Sequence, residues 1–377
     1  MNFEFSDEQN LLREQARGFL EENCSPKVVR SILEGDHSYD YSLWKNIIEM
    51  GWTSTVIPEE YGGLGLSYLE LSVISEELGR VYAPVPFSST VYLLTEAILV
   101  AGTKSQKNYW LPKIAEGQII GCFAVSESEG QPIETSINLK FEDGNLTGTK
   151  LLVADGDIAN LAVVFARGKV GVSAYLVDLR EEGVTKQRVN TIDPTRSHAK
   201  IRFHKVSGEL LGEEGRGWEL LEEIYNRAAV LFAWEQVGGS DTALYMATEY
   251  AKTRFAFGRP IGSYQAIKHK LAYAYVKNTL ARGNCYYGSW ALSNNAASLP
   301  LAAAAARVSA TQAYYYASKE NIQTHGGMGF TWEFDCQFGY RRSKLLAVNL
   351  GSEYWWKDKL ISAIENESAQ QEVRNGF

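Results

Sequence analysis

After Gly215-Arg-Gly217 the sequence keeps a helical periodicity almost to its end, interrupted only by short turns, and this restricts the C-terminal part to a bundle of long helices. One helix is expected from Trp218 to about Arg254 and a second from Ser263 to Asn294. A third, rich in alanine, is opened by Pro300 and closed by Gly326, and a fourth runs from Thr331 to about Glu365. Short connections such as Gly258-Arg-Pro make the arrangement up-and-down. The alanines of the third helix permit close packing, including against another subunit.

The preceding sequence has two other textures. Residues 6 to about 118 read as helical, with Ser6 as an N-cap, Asp7 and Glu8 in the first turn, and Leu11, Leu12, Ala16, Phe19 and Leu20 at helical spacing. Further helices are expected over 41–50 and 69–78, separated by the Pro- and Gly-rich loop Ile57-Pro-Glu-Glu-Tyr-Gly-Gly-Leu-Gly65. From Gly121 to about Leu211, six short apolar or alternating runs, at 123–126, 138–141, 145–153, 161–166, 173–178 and 199–203, have no helix between them. They predict an antiparallel barrel or sandwich. The expected class is α+β in three domains: helical at 1–118, an antiparallel β-barrel-like domain at 119–212, and a four-helix bundle at 213–377.

Composition narrows the function. A net charge of −8 without clustered Lys or Arg argues against nucleic acid or an anionic membrane as partner. The four cysteines, Cys24, Cys122, Cys285 and Cys336, form no CxxC pair, so neither a zinc site nor a disulfide framework is indicated, and no metal is expected. The N-terminal stretch lacks a basic segment followed by an apolar one, and no run approaches a membrane span, so a reducing cytoplasm is the expected location.

Two segments carry the chemistry. Arg254-Phe-Ala-Phe-Gly-Arg-Pro-Ile-Gly-Ser-Tyr-Gln265 supplies a permanently charged planar fork beside an aromatic and a turn. Gln323-Thr-His-Gly-Gly-Met-Gly329 supplies glycines, which let a backbone approach a ligand without a Cβ in the way. Together they suit a nucleotide. The plainer alternatives are that Arg254 complements its helix terminus and Gly326 is a simple C-cap. His325, beside the helix-ending glycine, reads as a structural hydrogen-bonder, since no nucleophile or metal partner accompanies it.

These two segments, the domain order, Pro58-Glu-Glu-Tyr-Gly-Gly-Leu-Gly65, Phe123-Ala-Val-Ser-Glu127 and Thr331-Trp-Glu333 together resemble the acyl-CoA dehydrogenase family over nearly the whole chain. The resemblance implies FAD held across a subunit boundary, a CoA thioester desaturated between its α and β carbons, and electrons passed to an electron-transferring flavoprotein. It implies that Arg254 meets the pyrophosphate, that Phe257 packs near the adenosine and that Gln265 bonds the phosphate or ribitol region. Gln323, Gly326 and Gly327 bring backbone N–H groups to the pyrophosphate, Ser126 belongs to the flavin-ring side, and Arg227 approaches the substrate. For Arg227 the plain alternative is a surface ion pair with Glu223.

The sequence departs from that pattern in two places. The family's Gly-Ser-Asp loop reads Ser128-Glu-Gly-Gln-Pro-Ile-Glu-Thr, and its Trp-x-Thr pair reads Leu152 and Ala154, losing an indole face and a hydroxyl. The two positions from which the family takes its catalytic carboxylate are Asn226 and Leu350, and neither can accept the α-proton. Of the nearby carboxylates, Glu353 lies about one turn past Leu350. Glu235 lies roughly 13 Å along the helix from Asn226, too far to replace it, in an apolar stretch that suits a buried structural carboxylate. Intact adenosine-side motifs beside an altered ring side resemble the subunits of α2β2 acyl-CoA dehydrogenases acting on steroid side chains and other bulky thioesters, where unlike subunits divide these duties. The expected function is a flavin-dependent subunit whose homologous partner supplies the base. The alternatives are a self-sufficient homotetramer using Glu353 or Glu235, or a related flavoenzyme whose reaction needs no such base, and a non-catalytic partner subunit.

Overall fold

In the computed structural model, described over residues 4–374 and for side chains over 4–366, the described residues form eleven α-helices, one eight-stranded sheet and a two-stranded hairpin. The N-terminal helices are α1 (Asp7–Asn23), α2 (Pro26–Glu34), α3 (Tyr41–Glu49), α4 (Tyr68–Arg80), α5 (Glu96–Ala101) and α6 (Lys104–Ala115). The strands are β1 (Gly121–Ala124), β2 (Lys140–Glu142), β3 (Asn145–Ala154), β4 (Leu161–Arg167), β5 (Val172–Asp178), β6 (Val184–Val189), β7 (His198–Ser207) and β8 (Glu209–Leu211). Then come α7 (Gly217–Thr253), a two-stranded hairpin of β9 (Phe255–Ala256) and β10 (Arg259–Pro260), α8 (Gln265–Ser293), α9 (Leu299–His325), α10 (Cys336–Leu346) and α11 (Glu353–Arg374).

Two compact units form. One contains the chain through Pro26, Tyr68–Ala83 and everything from Ala229; the other contains Lys27–Ser67 and Pro84–Ala228. The N-terminal helices are thus divided between units, and α7 begins in one and continues in the other.

In the sheet-bearing unit the strand order is β6-β7-β3-β2-β4-β5-β8, with β1 also beside β4. All six expected strands are present, but the sheet is mixed rather than antiparallel. Both β1 and β2 run parallel to β4, β1 opposite 161–164 and β2 at Arg167. They are two collinear pieces of one strand path, separated by the excursion over 125–139, and this is why neighbouring runs do not alternate in direction. Strands β4 and β5 are buried on both faces except at their last residues, Arg167 and Asp178, so they read as unbroken apolar runs. A π-helical stretch, Ser88–Thr95, is buried under β1, where the Thr90 hydroxyl accepts from the Gly121 amide at 3.0 Å.

In the helical unit, α1 starts with a complete capping box, Ser6 accepting from Gln9 N at 3.2 Å while Gln9 Oε1 accepts from Ser6 N at 3.0 Å. Glu76 and Glu77 of α4 are both 1% exposed and are met by arginines from three helices. Arg13 reaches Glu76 at 3.1 Å, Arg17 reaches Glu77 at 2.8 Å, Arg80 reaches Glu76 at 3.0 Å and Arg282 reaches Glu76 at 2.8 Å. Helix α7 stays continuous through Gly238-Gly239 because its backbone lies almost against that of α4. A Cβ on Gly238 would sit 1.9 Å from the Glu76 carbonyl oxygen, and one on Gly79 would sit 2.0 Å from that of Glu235.

The expected fourth bundle helix is broken into α10 and α11. The break is an Asn349–Gly351 bridge with Gly351 at φ 101, a conformation no side chain adopts without strain. The Trp356 indole donates to the Leu350 carbonyl at 3.1 Å across it.

Two outcomes follow from this packing. Gly238→Ala is expected to lower unfolding free energy by about 2 kcal/mol or more in urea titration, because helix backbone must move to admit the methyl. Glu76 is raised by burial, but Arg282, Arg13 and Arg80 outweigh that and hold its pKa below the usual 4.5. Its stabilisation is complete above the ordinary glutamate range and is lost as pH falls through the depressed folded value. A series of melting curves at descending pH should therefore show the parent losing stability below about pH 4.5, and Glu76→Gln, less stable at neutral pH, losing less there.

Candidate functional site

The residues expected on the adenosine side, Arg254, Phe257, Gln265, Gln323, Gly326 and Gly327, all lie in the helical unit. Helix α7 ends at Thr253, and the hairpin β9–β10 follows, pairing Arg259 with Ala256 and Pro260 with Phe255. Its two turn residues, Phe257 at φ 51 and Gly258 at φ 81, both take positive φ, the signature of a type I′ turn. A phenylalanine in this conformation costs about 1 kcal/mol, and its ring is 97% exposed, so folding gains little from it. The Tyr264 hydroxyl braces the hairpin by donating to the Ala256 carbonyl at 2.9 Å.

The glycine turn closes α9. Gly326 stands at φ 61, ψ −136, a region essentially reserved for glycine. A Cβ on Gly326 or Gly327 would meet nothing within 4 Å, whereas one on Gly329 would lie 2.4 Å from the Ile322 carbonyl. The last glycine is therefore required by packing and the first two face open space. Tyr250, one turn before Arg254, joins the two motifs: its ring stacks on His325 at 4.2 Å and its hydroxyl lies 3.5 Å from Met328 Sδ. His325 Nδ1 is 2.8 Å from the Asn321 carbonyl, which makes it the structural hydrogen-bonder expected. Gln265 opens α8, and it, Gln323 and Arg254 are exposed.

This surface fits the diphosphate half of FAD. Exposed guanidinium and amide donors, an exposed aromatic and two glycines over open space match an anionic, planar-ended ligand.

The residues expected on the flavin-ring side, Ser126, Leu152 and Ala154, lie in the sheet-bearing unit. Ser126 is half-buried, and its carbonyl accepts from Leu151 N at 2.8 Å. Leu152 sits in a β3 bulge at φ 52 and is 54% exposed, and Ala154 is half-buried. Fully buried Lys150 donates to the Val125 carbonyl at 2.8 Å and to Glu127 at 2.6 Å. Glu127 in turn accepts from the amides of Asn138 at 2.7 Å and Leu139 at 3.0 Å, closing the base of the 125–139 excursion. Burial, opposed by Glu127, brings the Lys150 ammonium down to about 8. Asp155, also fully buried, is pushed up to about 6 by burial against the pull of Arg196, and Ser89 donates to it at 2.6 Å. Neither residue was singled out from the sequence. The polar Lys150 in an otherwise apolar strand core was the available signal.

No carboxylate stands at either position from which a base is expected. Leu350 is an apolar side chain 1% exposed. Asn226 is half-buried with its Oδ1 shielded from solvent and accepting no hydrogen bond among the described residues. Arg227 is not on the surface with Glu223: its Nε meets Glu96 of α5 at 2.7 Å in a buried pair. Glu96 precedes it by 131 residues, which is why local spacing pointed to Glu223 instead.

The two substitute carboxylates are engaged. Glu235 is 1% exposed and lies 3.5 Å from Arg342, itself anchored by the Tyr82 carbonyl at 3.1 Å. Nearby Arg307, which donates to Gln236 at 2.6 Å and to the Leu346 carbonyl, is pushed down to about 9 by burial, with Glu235 opposing. Glu353, at the start of α11, accepts from Lys357 at 2.6 Å and Gln312 at 2.9 Å. Burial raises its pKa, but these two partners outweigh that and hold it below the usual range, making it a weak proton acceptor. No cluster of three or more His, Cys, Asp or Glu capable of holding a metal occurs among the described residues, and no described helix is long and apolar enough to cross a membrane.

The chain belongs to the acyl-CoA dehydrogenase family of oxidoreductases. Residues 6–118 match the profile "Acyl-CoA dehydrogenase, N-terminal domain" and residues 215–355 match "Acyl-CoA dehydrogenase, C-terminal domain". Among curated relatives, acyl-CoA dehydrogenase IpdE2 of Mycobacterium tuberculosis is 32% identical over 89% of this chain and 91% of its own. Among solved structures, butyryl-CoA dehydrogenase from Megasphaera elsdenii has a TM-score of 0.89 at 25% identity, covering 97% of this chain and 100% of its own. A variant of the Tcur3481-Tcur3483 steroid ACAD has a TM-score of 0.87 at 26% identity, covering 96% and 99%.

Two substitutions probe these assignments. Glu235→Gln removes the carboxylate that lies 3.5 Å from buried Arg342 and should cost about 3 kcal/mol or more in equilibrium unfolding. Phe257→Asn places the residue that type I′ turns favour at the hairpin tip, and should leave calorimetric stability of the flavin-free chain unchanged or up to about 1 kcal/mol higher.

Proposed function

We propose that this chain is the non-base-bearing subunit of a flavin-dependent acyl-CoA dehydrogenase that acts with a homologous second subunit. The observation that carries this reading is that none of the four residues at or near the family's base positions offers a free carboxylate. Leu350 and Asn226 lack one, and Glu235 and Glu353 are held by Arg342 and Lys357. Abstraction of the α-proton of a thioester needs such a group over the α-carbon, so the partner supplies it.

Flavin, when bound, supplies the two-electron acceptor for α,β-desaturation. What this chain contributes is the grip on its diphosphate half. Arg254 would donate to the pyrophosphate oxygens, the amides at Gly326 and Gly327 would face them, Gln323 and Gln265 would add polar contacts, and Phe257 would lie near the adenosine. The ring side is poorer: Leu152 offers an apolar face without a donor and Ala154 offers no hydroxyl, with Ser126 retained. Arg227 shapes the substrate side through its pair with Glu96, which fixes α7 next to Asn226. The substrate class is a CoA thioester, and the likeness to a steroid ACAD named for two components supports a bulky acyl group and an unlike partner. Electron-transferring flavoprotein is the proposed electron acceptor, and the cytoplasm the proposed location.

The purified chain alone should be nearly colourless. Co-expressed with the homologous subunit it should co-purify at equal stoichiometry and carry about one FAD per two chains, measured by absorbance after denaturation. One FAD per chain and full desaturase activity in the chain alone would overturn the reading.

A further inference from the structure

The hairpin that ends α7 presents a second cation on the same face as Arg254. Paired residues of an antiparallel ladder project to the same side and alternate along each strand. Arg259 pairs with Ala256, and Arg254, two residues before Ala256, continues the ladder by accepting from Ile261 N at 2.8 Å. The two arginines are therefore diagonal neighbours on one face, about 7–8 Å apart at their Cα atoms, with Ala256 and Ile261 on the other diagonal.

Neither guanidinium has a counter-charge among the described residues. Both residues are exposed, and neither forms an ion pair among the described residues. The carboxylate of the preceding helical turn, Glu249, is taken by Lys252 at 2.6 Å. Two like charges left unpaired on a small rigid face repel each other, and an anion bridging them converts that repulsion into binding.

Arg259 is also held in place. Its guanidinium carbon lies 4.0 Å from the centroid of the Tyr264 ring, and the Tyr264 hydroxyl is tied to the Ala256 carbonyl at 2.9 Å. Stacking fixes the plane of the guanidinium while leaving its N–H groups free to donate, so less rotamer freedom is lost on binding.

We propose that Arg259 is a second anion contact of the nucleotide grip and shares one pyrophosphate, that of a nucleoside diphosphate moiety, with Arg254. This rests on the reading that the hairpin holds the diphosphate half of a flavin nucleotide, and adds a residue that the family resemblance did not single out. The two arginines take adjacent phosphate groups, Arg259 from the fixed plane above Tyr264 and Arg254 from the end of α7.

The test is calorimetric titration of the full-length chain, in complex with its partner when the two co-purify, with ADP, inorganic pyrophosphate and adenosine. Arg259→Gln and Arg254→Gln should each weaken ADP and pyrophosphate about tenfold or more, leave adenosine unchanged, and flatten the loss of affinity with added salt. Arg259→Lys should restore only part of the loss. Arg259 is exposed, so circular dichroism of its variants should match the parent. If Arg254→Gln weakens ADP and Arg259→Gln does not, the inference fails while the nucleotide reading stands. If Arg259→Gln leaves ADP affinity intact but weakens association with the second subunit, the side chain belongs to the interface and the inference is likewise overturned. If the parent binds neither ADP nor pyrophosphate, the nucleotide reading fails and takes the inference with it.

Discussion

The helical unit depends on two adjacent carboxylates, Glu76 and Glu77, buried on α4. Buried charges are tolerated only when paired, and here Arg13 and Arg17 of α1, Arg80 of α4 and Arg282 of α8 converge on them. That convergence docks α1 and α8 on α4. The glycine contacts at Gly79 and Gly238 then bring α7 against α4 with no side chain between the backbones. The rest of α7 is positioned by this crossing. Glu235 faces Arg342, and four to five turns further on Tyr250 meets the glycine turn and the hairpin emerges.

The same arrangement engages Glu235, which lies 3.5 Å from buried Arg342. Glu353 is engaged in a different way, by Lys357 one turn along its own helix, and with Gln312 this outweighs burial and holds its pKa below the usual range. Asn226, with an orphaned Oδ1, and Leu350, folded inward at the break between α10 and α11, complete a set in which no group suits α-proton abstraction. Under the proposed function, the hairpin and the glycine turn hold the nucleotide while none of these four residues offers a free carboxylate, which is the physical argument for a partner.

Legibility from sequence followed the range of the interactions. The turn at Gly258-Arg-Pro and the glycine turn are readable because each is encoded within a dozen residues, the first by Gly, Arg and Pro in order and the second by closely spaced glycines. Strands β6 and β8 were missed because both lie at sheet edges, where Thr-Lys-Gln-Arg of β6 carries little apolar signal. The parallel placement of β1 and β2 could not be read, since it depends on pairing with β4 rather than on either run. The break at Gly351 was hidden in a stretch of Leu, Val and Trp that otherwise continues the helical pattern. For Arg227 the plain alternative to a substrate role names Glu223, because spacing on one helix is visible and a partner on α5 is not. What remained invisible throughout was long-range pairing of charges, and the buried Lys150–Glu127 contact is a further case.

The most direct measurement of the central claim is the rate at which a CoA thioester bleaches the flavin of the assembled complex under anaerobic stopped-flow conditions, with Glu353→Gln introduced in this chain. The account predicts a rate within about twofold of the parent, because the proton leaves to a carboxylate of the other subunit. A fall of a hundredfold or more, at unchanged flavin content, would place the base in this chain and contradict it.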